Sequence, residues 1–272
     1  AGLEAACTAA EVGCNTFLLE KGSELGGLAS LISKIPAKNR LADFPHYLMH
    51  RAEQLENLYI FTNTEGTPEN IRKFHPNIIV SSTGSAPLLP PIAGLKDRID
   101  NEDYNIYSIL GMINHINDFP KDLEGKKVVV VGGGAVGLDV VEFFADRNAD
   151  ISIVEMMDQI GRDLDPVSKN DTKAMMKKHN VHQLTKTALL EVKDSSFLVK
   201  GDGEPYELPF EYGFVCLGMR AQGQLYQSLA EEFSSEDVEI MNIGDSQRAR
   251  RIIDGTQEGR NILTILEQRG YL

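Results

Sequence analysis

The sequence predicts an α/β fold built from two related units with parallel sheets. The main observation is the stretch 126–155, which reads as strand, glycine turn, helix and strand and ends on Glu155. Gly132, Gly134 and Gly137 form a GxGxxG pattern, which lets a backbone close on a pyrophosphate at a helix N-terminus. Glu155 follows at about 20 residues, where a carboxylate can hold an adenosine ribose. We therefore expect this unit to be Rossmann-like.

The first residues of the chain repeat the second half of this pattern. Residues 2–12 have the composition of a helix with one small apolar face, and Gly13 ends it. Residues 16–20 then form a buried strand that ends on a second acid, Glu20. A strand and two glycines would complete the pattern before Gly2. We therefore expect a first domain that lacks its first strand, in a chain that is N-terminally truncated.

Composition restricts the class of protein. The length of 272 residues suggests two domains. The formal net charge of -13 disfavours non-specific binding to nucleic acid or to an anionic membrane. No apolar run reaches the roughly 18 residues of a membrane span. Cys7, Cys14 and Cys216 have no CxxC spacing, which fits a reducing cytoplasm and gives no support to a metal or disulfide scaffold.

The remaining elements are predicted from periodicity and from turn residues. Those before the glycine turn are an amphipathic helix over 39–57, strands at 59–62 and 78–81, a linker at 87–91 and a crossover at 100–120. Those after it are a helix over 166–179, a short strand near 181, a β-meander over 188–208, strands at 213–217 and 239–243, and a last helix over 251–269.

Three strand ends carry short motifs of their own. One strand runs into Ser82-Thr83-Gly84, a second ends at Cys216-Leu217-Gly218, and a third meets Gly244-Asp245. Together with the two nucleotide units, these motifs resemble those of the two-dinucleotide-binding-domain flavoprotein reductases. The resemblance covers essentially the whole chain.

A further segment narrows the resemblance. Glu24-Leu25-Gly26-Gly27, followed by Pro36 and Lys38, is similar to the C-terminal half of the multidomain Old Yellow Enzyme-type NADH:flavin oxidoreductases. That group includes 2,4-dienoyl-CoA reductase, 2-enoate reductase and trimethylamine dehydrogenase. In such enzymes a barrel with FMN and a 4Fe-4S cluster precedes this half, so the resemblance implies that the chain's own barrel domain is its partner.

The resemblance implies two Rossmann-like, three-layer domains. Residues 1–95 and 221–272 would form a discontinuous FAD-binding (or ADP-binding) domain, and residues 96–220 an NAD-binding domain. NADH would deliver hydride to FAD here, and electrons would pass to the barrel, where the substrate is reduced. The final substrate and the oligomeric state stay open.

The resemblance also assigns cofactor-binding roles to individual residues. Glu20 would hold the adenosine ribose of FAD, and Asp245 its ribityl chain, although Asp245 could instead be a plain helix N-cap. No catalytic residue and no metal site is expected, because the cofactors carry the chemistry of hydride transfer. The cofactor-binding residues expected are Gly2, Glu20, Lys21, Gly27, Thr83, Gly84, Gly244, Asp245, Gly132, Gly134, Gly137, Glu155 and Gly218.

Several alternatives remain. The chain could be an ADP-binding structural module that supports a barrel without nicotinamide chemistry. A stand-alone disulfide reductase is disfavoured, because residues 22–42 contain no redox-active cysteine pair. His46 and His50 have a spacing that can bind zinc, but two ordinary helix-surface histidines are the simpler interpretation. Glu155 predicts NADH over NADPH, because a 2'-phosphate beside it would meet a like charge.

Overall fold

The computed structural model describes residues 1–272 and divides them into two units. Unit 1 contains Ala1–Ser33, Lys38–Ala86 and Met219–Leu272, and unit 2 contains Lys34–Ala37 and Pro87–Gly218. The division falls at the start of the proline-rich stretch and after Gly218, whereas the sequence predicts domain boundaries at 95/96 and 220/221. The assignment of the two domains to FAD and NAD stays a prediction.

The strands are numbered in chain order. They are β1 Thr16–Leu19, β2 Leu58–Phe61, β3 Ile78–Ser81, β4 Ser85–Pro87, β5 Ile106–Tyr107, β6 Lys127–Val131, β7 Asp150–Val154, β8 His182–Leu184, β9 Ala188–Val192, β10 Ser196–Lys200, β11 Tyr206–Pro209, β12 Tyr212–Val215, β13 Met219–Ala221 and β14 Glu239–Asn242.

The helices are numbered in the same way. They are α1 Gly2–Glu11, α2 Gly27–Ile32, α3 Asp43–Glu53, α4 Pro68–Arg72, α5 Leu95–Arg98, α6 Ile109–Asn114, α7 Ala135–Ala145, α8 Pro166–Lys178, α9 Gln224–Glu232, α10 Ile252–Arg260 and α11 Ile262–Gln268. Two short 3₁₀ segments span Pro36–Ala42 and Gly244–Ser246.

Unit 2 is built on a parallel sheet with the strand order β5-β12-β6-β7-β8. Its central strand, β6, is buried from Val128 to Val131, as expected of a parallel strand that is covered on both faces. α7 packs against β6, β7 and β12. The antiparallel meander β11-β10-β9 supplies Phe197 and Val199 to the same core as Val129 and Val131. This gives the three layers expected of a Rossmann-like domain.

Unit 1 contains two separate pairs of parallel strands. β1 pairs with β2, and β3 pairs with β14. α1 packs against β1, β3, α3, α10 and α11, so this one helix contacts both pairs. Its small residues Ala6, Cys7 and Ala10 pack with Leu58 of β2, and Ala5 packs with Ile243. The mixed α/β fold with parallel strands is therefore confirmed in both units.

Two predicted helices differ from the observed ones. The helix predicted over 39–57 begins as a 3₁₀ segment and becomes α-helical only from Asp43 to Glu53. Pro45 explains this start, because proline lacks an N–H and is tolerated in the first turn of a helix but not in its interior. The last helix, predicted as continuous over 251–269, is broken at Asn261 into α10 and α11.

A buried ion pair joins α1 to two other helices of unit 1. The Glu4 side chain is only 3% exposed, and its Oε1 accepts a hydrogen bond of 2.9 Å from Arg51 Nη1 of α3. Arg260 Nε of α10 lies 3.5 Å from the same oxygen. Arg51 also donates to Glu11, and this hydrogen bond lowers the pKa of the Glu11 carboxyl. α1 is thus fixed by charge as well as by apolar packing.

Replacing Arg51 by methionine should lower the free energy of unfolding by about 3 kcal/mol, because the buried Glu4 carboxylate loses its closest partner. Urea unfolding followed by far-UV circular dichroism measures this change. Arg40→Met is the matched control, since its pair with Asp43 is exposed on both sides and should contribute less than about 1 kcal/mol. Equal losses in the two variants would contradict a structural role for the Glu4 pair.

Candidate nucleotide-binding sites

The glycine turn of unit 2 follows the central strand directly. Gly132 comes after β6 with a φ of +110°, and a Cβ placed on it would lie 2.1 Å from the carbonyl oxygen of Cys216. A Cβ on Gly137 would lie 1.9 Å from the carbonyl oxygen of Gly132. Both positions therefore require glycine, the first for the turn and the second for the close packing of α7 on it.

Gly134 opens the N-terminus of α7. It is the N-cap residue, and no side chain caps the helix. A Cβ on Gly134 would meet no atom within 4 Å, and both Gly134 and Ala135 are exposed. The N–H groups of the first helical turn have no partner within a helix. This end of α7 can therefore accept an anion such as a diphosphate.

Glu155 lies beside this turn. It follows β7 and is half-buried. Its Oε2 accepts a hydrogen bond of 2.7 Å from Gly133 N, and its Oε1 accepts one of 2.7 Å from Met157 N. The two bonds fix the carboxylate next to the glycine turn. Each oxygen can accept further hydrogen bonds, so the carboxylate can also hold a pair of hydroxyl groups.

Gly218 lies at the same edge of the sheet. β12 is adjacent to β6, with Val215 paired to Val131, so the chain after each strand emerges on one side. Gly218 is exposed with a φ of +103°, and its carbonyl oxygen accepts a hydrogen bond of 2.9 Å from Leu88 N. The structure thus brings Gly132, Gly134, Gly137, Glu155 and Gly218 to the carboxyl edge of the unit 2 sheet.

A cavity of about 1430 Å³ collects the residues predicted in unit 1. It is far larger than the second cavity, about 170 Å³, which is in unit 2. All of the residues predicted for the FAD site line it, and they are Gly2, Glu20, Lys21, Gly27, Thr83, Gly84, Gly244 and Asp245. Their individual roles toward a cofactor stay predictions.

Asp245 does not cap a helix. Its Oδ2 accepts a hydrogen bond of 3.1 Å from Ser85 Oγ, and its Oδ1 accepts one of 3.1 Å from Arg250 N. The N-terminus of α10 is instead capped by Arg251 and Asp254, which form a capping box. These contacts hold the Asp245 carboxylate at the wall of the cavity, where it is available to a polar ligand.

The other acid, Glu20, lies at the end of β1. Its Oε1 accepts a hydrogen bond of 2.6 Å from Gly22 N. Lys21 points into solvent and pairs with Glu65, with 77% of its side chain exposed. Gly27 has a φ of +55° and begins α2, and a Cβ on it would meet no atom within 4 Å. Glu20 is therefore fixed by its backbone contact, whereas Lys21 makes only an exposed ion pair.

Thr83 and Gly84 connect β3 to the segment that returns from unit 2. Thr83 Oγ1 donates to the carbonyl oxygen of Gln222, and Gln222 N donates to the carbonyl oxygen of Gly84 at 2.9 Å. Gly84 has a φ of +75°. One side-chain and one backbone hydrogen bond to Gln222 thus fix the turn, and the positive φ of Gly84 favours glycine there.

Sequence reasoning missed three residues that shape this cavity. Ser85 positions Asp245, and Glu258 accepts a hydrogen bond of 2.6 Å from Gly244 N. Gly259 allows α10 to approach α1, because a Cβ on it would lie 2.7 Å from the carbonyl oxygen of Ala1. The sequence did carry a signal for Glu258 and Gly259, because Gly259 lies inside a predicted helix. A glycine there destabilises the helix, and close packing against another element explains its presence.

Other candidate groups do not assemble into a site. No set of three or more His, Cys, Asp or Glu side chains could hold a metal ion. Burial raises the pKa of the Cys216 thiol to about 12 and that of Cys7 to about 11, so both thiols are protonated at neutral pH. Arg250 pairs with Glu258. None of the helices is long and apolar enough to cross a lipid bilayer.

Several known proteins are similar to this chain in sequence or in fold. NADH oxidase of Thermoanaerobacter brockii is 26% identical over 260 residues, which cover 95% of this chain and 38% of that protein. The structure of 2-naphthoyl-CoA reductase with 2-naphthoyl-CoA has a TM-score of 0.81 at 22% identity, covering 96% of this chain and 37% of that one. Histamine dehydrogenase from Rhizobium sp. 4-9 has a TM-score of 0.83 at 17% identity, covering 98% and 40%.

The structural likenesses show the shared fold, and this chain spans less than half of each of these proteins. A family model described as pyridine nucleotide-disulphide oxidoreductase matches residues 49–241, which is more than half of the chain. The matched region contains the glycine turn, Glu155, the Thr83-Gly84 turn and Gly218. These findings support binding of FAD and of a nicotinamide nucleotide. The chain belongs to the pyridine nucleotide-disulphide oxidoreductase family.

Proposed function

We propose that this chain is the electron-input module of a longer flavin oxidoreductase, in which NADH bound by unit 2 reduces FAD bound by unit 1. The observation that carries the proposal is the glycine turn of unit 2, which is open at Gly134 and bordered by the fixed carboxylate of Glu155. The similarity to an NADH oxidase over 95% of the chain supports it.

The residues of unit 2 fit an adenine dinucleotide. The open N-terminus of α7 offers N–H donors to a diphosphate, and the absence of a side chain at Gly134 lets the diphosphate come close. Glu155 accepts hydrogen bonds from the two hydroxyls of an adenosine ribose. The same carboxylate repels a 2'-phosphate, so NADH is the preferred nucleotide.

The residues of unit 1 fit a second, larger nucleotide. Its cavity is lined by all eight residues expected at the FAD site. Glu20 is the ribose-binding acid at the end of β1, and Asp245 is held by Ser85 where a ribityl hydroxyl can donate to it. We propose FAD as the ligand. ADP would use the Glu20 half of the site and leave Asp245 without a function.

The chemistry needs little from the protein itself. The nicotinamide supplies a hydride and the flavin accepts it, so the chain has to bind, orient and shield its cofactors. Cys7 and Cys216 are buried with raised pKa values, which makes them poor nucleophiles. The proposed electron path therefore uses no dithiol of this chain.

The onward acceptor is proposed from the resemblance. We propose that electrons pass to an N-terminal barrel domain that carries FMN and a 4Fe-4S cluster, as in the enzymes that the sequence resembles. A 4Fe-4S cluster is held by four cysteine ligands, and this chain has three free cysteines, so the cluster would belong to the barrel. The barrel would also select the final substrate.

Anaerobic mixing of the complete polypeptide with NADH and excess FAD tests the electron-input role. The flavin absorbance band should bleach faster than in a mixture without protein, with one NADH oxidised per FAD reduced. The alternative, an ADP-binding structural module, predicts that ADP binds and that the flavin stays oxidised at the uncatalysed rate. That second result would remove the redox proposal.

Ala135→Glu should weaken NADH binding by about tenfold or more, because a negative charge at the start of α7 repels the diphosphate. The same charge is favourable for the helix itself, so the fold should be retained. Quenching of NADH fluorescence measures the affinity. Ala135→Gln is the matched control, and an equal loss of affinity in both variants would show that side-chain size, not charge, is responsible.

We expect the natural chain to bind NADH about tenfold or more tightly than NADPH. Glu155→Gln should lower this ratio of affinities. Glutamine keeps one acceptor oxygen and loses the charge that repels a 2'-phosphate. Competition titrations with the two nucleotides measure the ratio. Glu204→Gln removes an exposed charge elsewhere in unit 2 and should leave the ratio unchanged. Equal affinities of the natural chain for NADH and NADPH would refute the assignment.

A further inference from the structure

The loop that follows Glu155 folds back onto the glycine turn of unit 2. It spans residues 156–165, between β7 and α8. Gly161 N donates a hydrogen bond of 2.7 Å to the carbonyl oxygen of Gly133. A Cβ on Gly133 would also lie 3.1 Å from Ile160 Cγ1. The middle of this loop, which lies outside the glycine motif in sequence, therefore touches the glycine turn in space.

The same part of the loop lies against the start of α7. Leu138 N closes the first turn of α7 with a hydrogen bond of 3.0 Å to the carbonyl oxygen of Gly134. A Cβ on Gly161 would lie 3.5 Å from Leu138 Cδ1. Gly161 has a φ of +66°, and Leu164 N donates to its carbonyl oxygen at 3.1 Å, so the chain turns here. These contacts fix the backbone of Arg162 close to the open end of the helix.

Arg162 is the cation that this loop presents. Its side chain is exposed and forms no ion pair with any acid of the chain. Asp165 of the same loop caps α8, where its Oδ1 accepts hydrogen bonds of 2.9 Å from Val167 N and 3.1 Å from Ser168 N. A guanidinium group without a protein partner offers five N–H donors in a planar fork. Arg162 can therefore donate to a ligand bound at the glycine turn.

A diphosphate at the glycine turn needs a cation. The charge fixed beside the turn is the carboxylate of Glu155, and the whole chain has a formal net charge of -13. The start of a helix such as α7 contributes only about half of one positive elementary charge, which offsets a small part of the charge on two phosphates. Arginine binds phosphate oxygens through two parallel hydrogen bonds, and such charge-assisted bonds are roughly twice as strong as neutral ones.

We propose that Arg162 binds the diphosphate of the nucleotide held by unit 2. Its guanidinium donates to phosphate oxygens that lie at the start of α7, while Glu155 accepts from the adenosine ribose. This inference rests on the proposed function, because it assigns a further binding residue to the same NADH site. The diphosphate is common to NADH and NADPH, so Arg162 strengthens the binding of both and leaves the choice between them to Glu155.

Displacement of a bound nucleotide from the complete polypeptide tests this contact. The probe is etheno-NAD⁺, which is fluorescent and cannot reduce a flavin, and its fluorescence anisotropy reports the nicotinamide-nucleotide site. ADP contains the diphosphate, whereas adenosine lacks it. In Arg162→Gln, ADP should bind about tenfold more weakly than in the natural chain, while adenosine should keep its affinity. The loss should become smaller at high salt, because salt screens an exposed charge.

Two further variants test whether the geometry and the position of the charge matter. Arg162→Lys keeps the positive charge but loses the planar fork, so its ADP affinity should lie between those of the natural chain and Arg162→Gln. Lys200→Gln is the matched control, since it removes one exposed positive charge from β10 of the same unit. It should leave the affinities for ADP and adenosine unchanged. Circular dichroism should be the same for all of these variants.

Three results would overturn the assignment of Arg162. The first is an unchanged ADP affinity in Arg162→Gln. The second is an equal loss for adenosine, which would show that the substitution alters the shape of the loop. The third is a loss for 2'-AMP and none for ADP, which would place the guanidinium at the 2' position of the ribose.

The same titrations separate this inference from the proposed function. If etheno-NAD⁺ binds the natural chain and any of the three results is found, the nucleotide site stands and the role of Arg162 is wrong. If neither etheno-NAD⁺ nor NADH binds the natural chain, the proposed function is wrong, and the role of Arg162 is wrong with it.

Discussion

The close approach of backbone to backbone at the end of β6 is the constraint on which unit 2 depends. Gly132 passes so near the Cys216 carbonyl, and Gly137 so near the Gly132 carbonyl, that neither position has room for a Cβ. This contact seats α7 directly over the strand end. As a result the first turn of the helix faces solvent with free N–H groups, and Glu155 comes within hydrogen-bond distance of the same turn. Packing and binding capacity thus arise from the same glycines.

Unit 1 uses the same local elements but depends on different forces. The position of α1 is set by Glu4, which pairs with Arg51 and Arg260, and by the close approach of α10 at Gly259. The charge network and the helix contact hold the two strand pairs on one helix. The large cavity of unit 1 runs beside α1 and both strand pairs, whereas the valines of β6 are buried in the core of unit 2.

The parts that sequence predicted well are those set by local chemistry. The β6–α7–β7 segment could be predicted because each of its features has a local meaning. The run of valines indicates a buried strand, the three spaced glycines indicate a close turn, and the terminal acid indicates a ribose-binding position. The positions of the predicted strands in unit 1 follow for the same reason. Sequence could not supply contacts between distant residues, such as that of Ser85 with Asp245, which are 160 positions apart. It also missed the helix break at Asn261, which no proline marks, although Pro45 did carry a signal for the late start of α3.

The three cysteine thiols of this chain are poorly suited to the disulphide chemistry that the family's name describes. Cys7 and Cys216 are buried, and Cys14 is half-buried, with burial raising the pKa of each. A raised thiol pKa lowers the thiolate fraction at neutral pH, and the thiolate is the species that attacks a disulfide. The groups fixed at the two candidate sites are instead the carboxylates of Glu20, Asp245 and Glu155, together with the backbone N–H groups at the start of α7. These groups suit the ribose and diphosphate groups of nucleotides. The residues of this chain are therefore suited to the nucleotide binding that the family's name describes, and not to its disulphide chemistry.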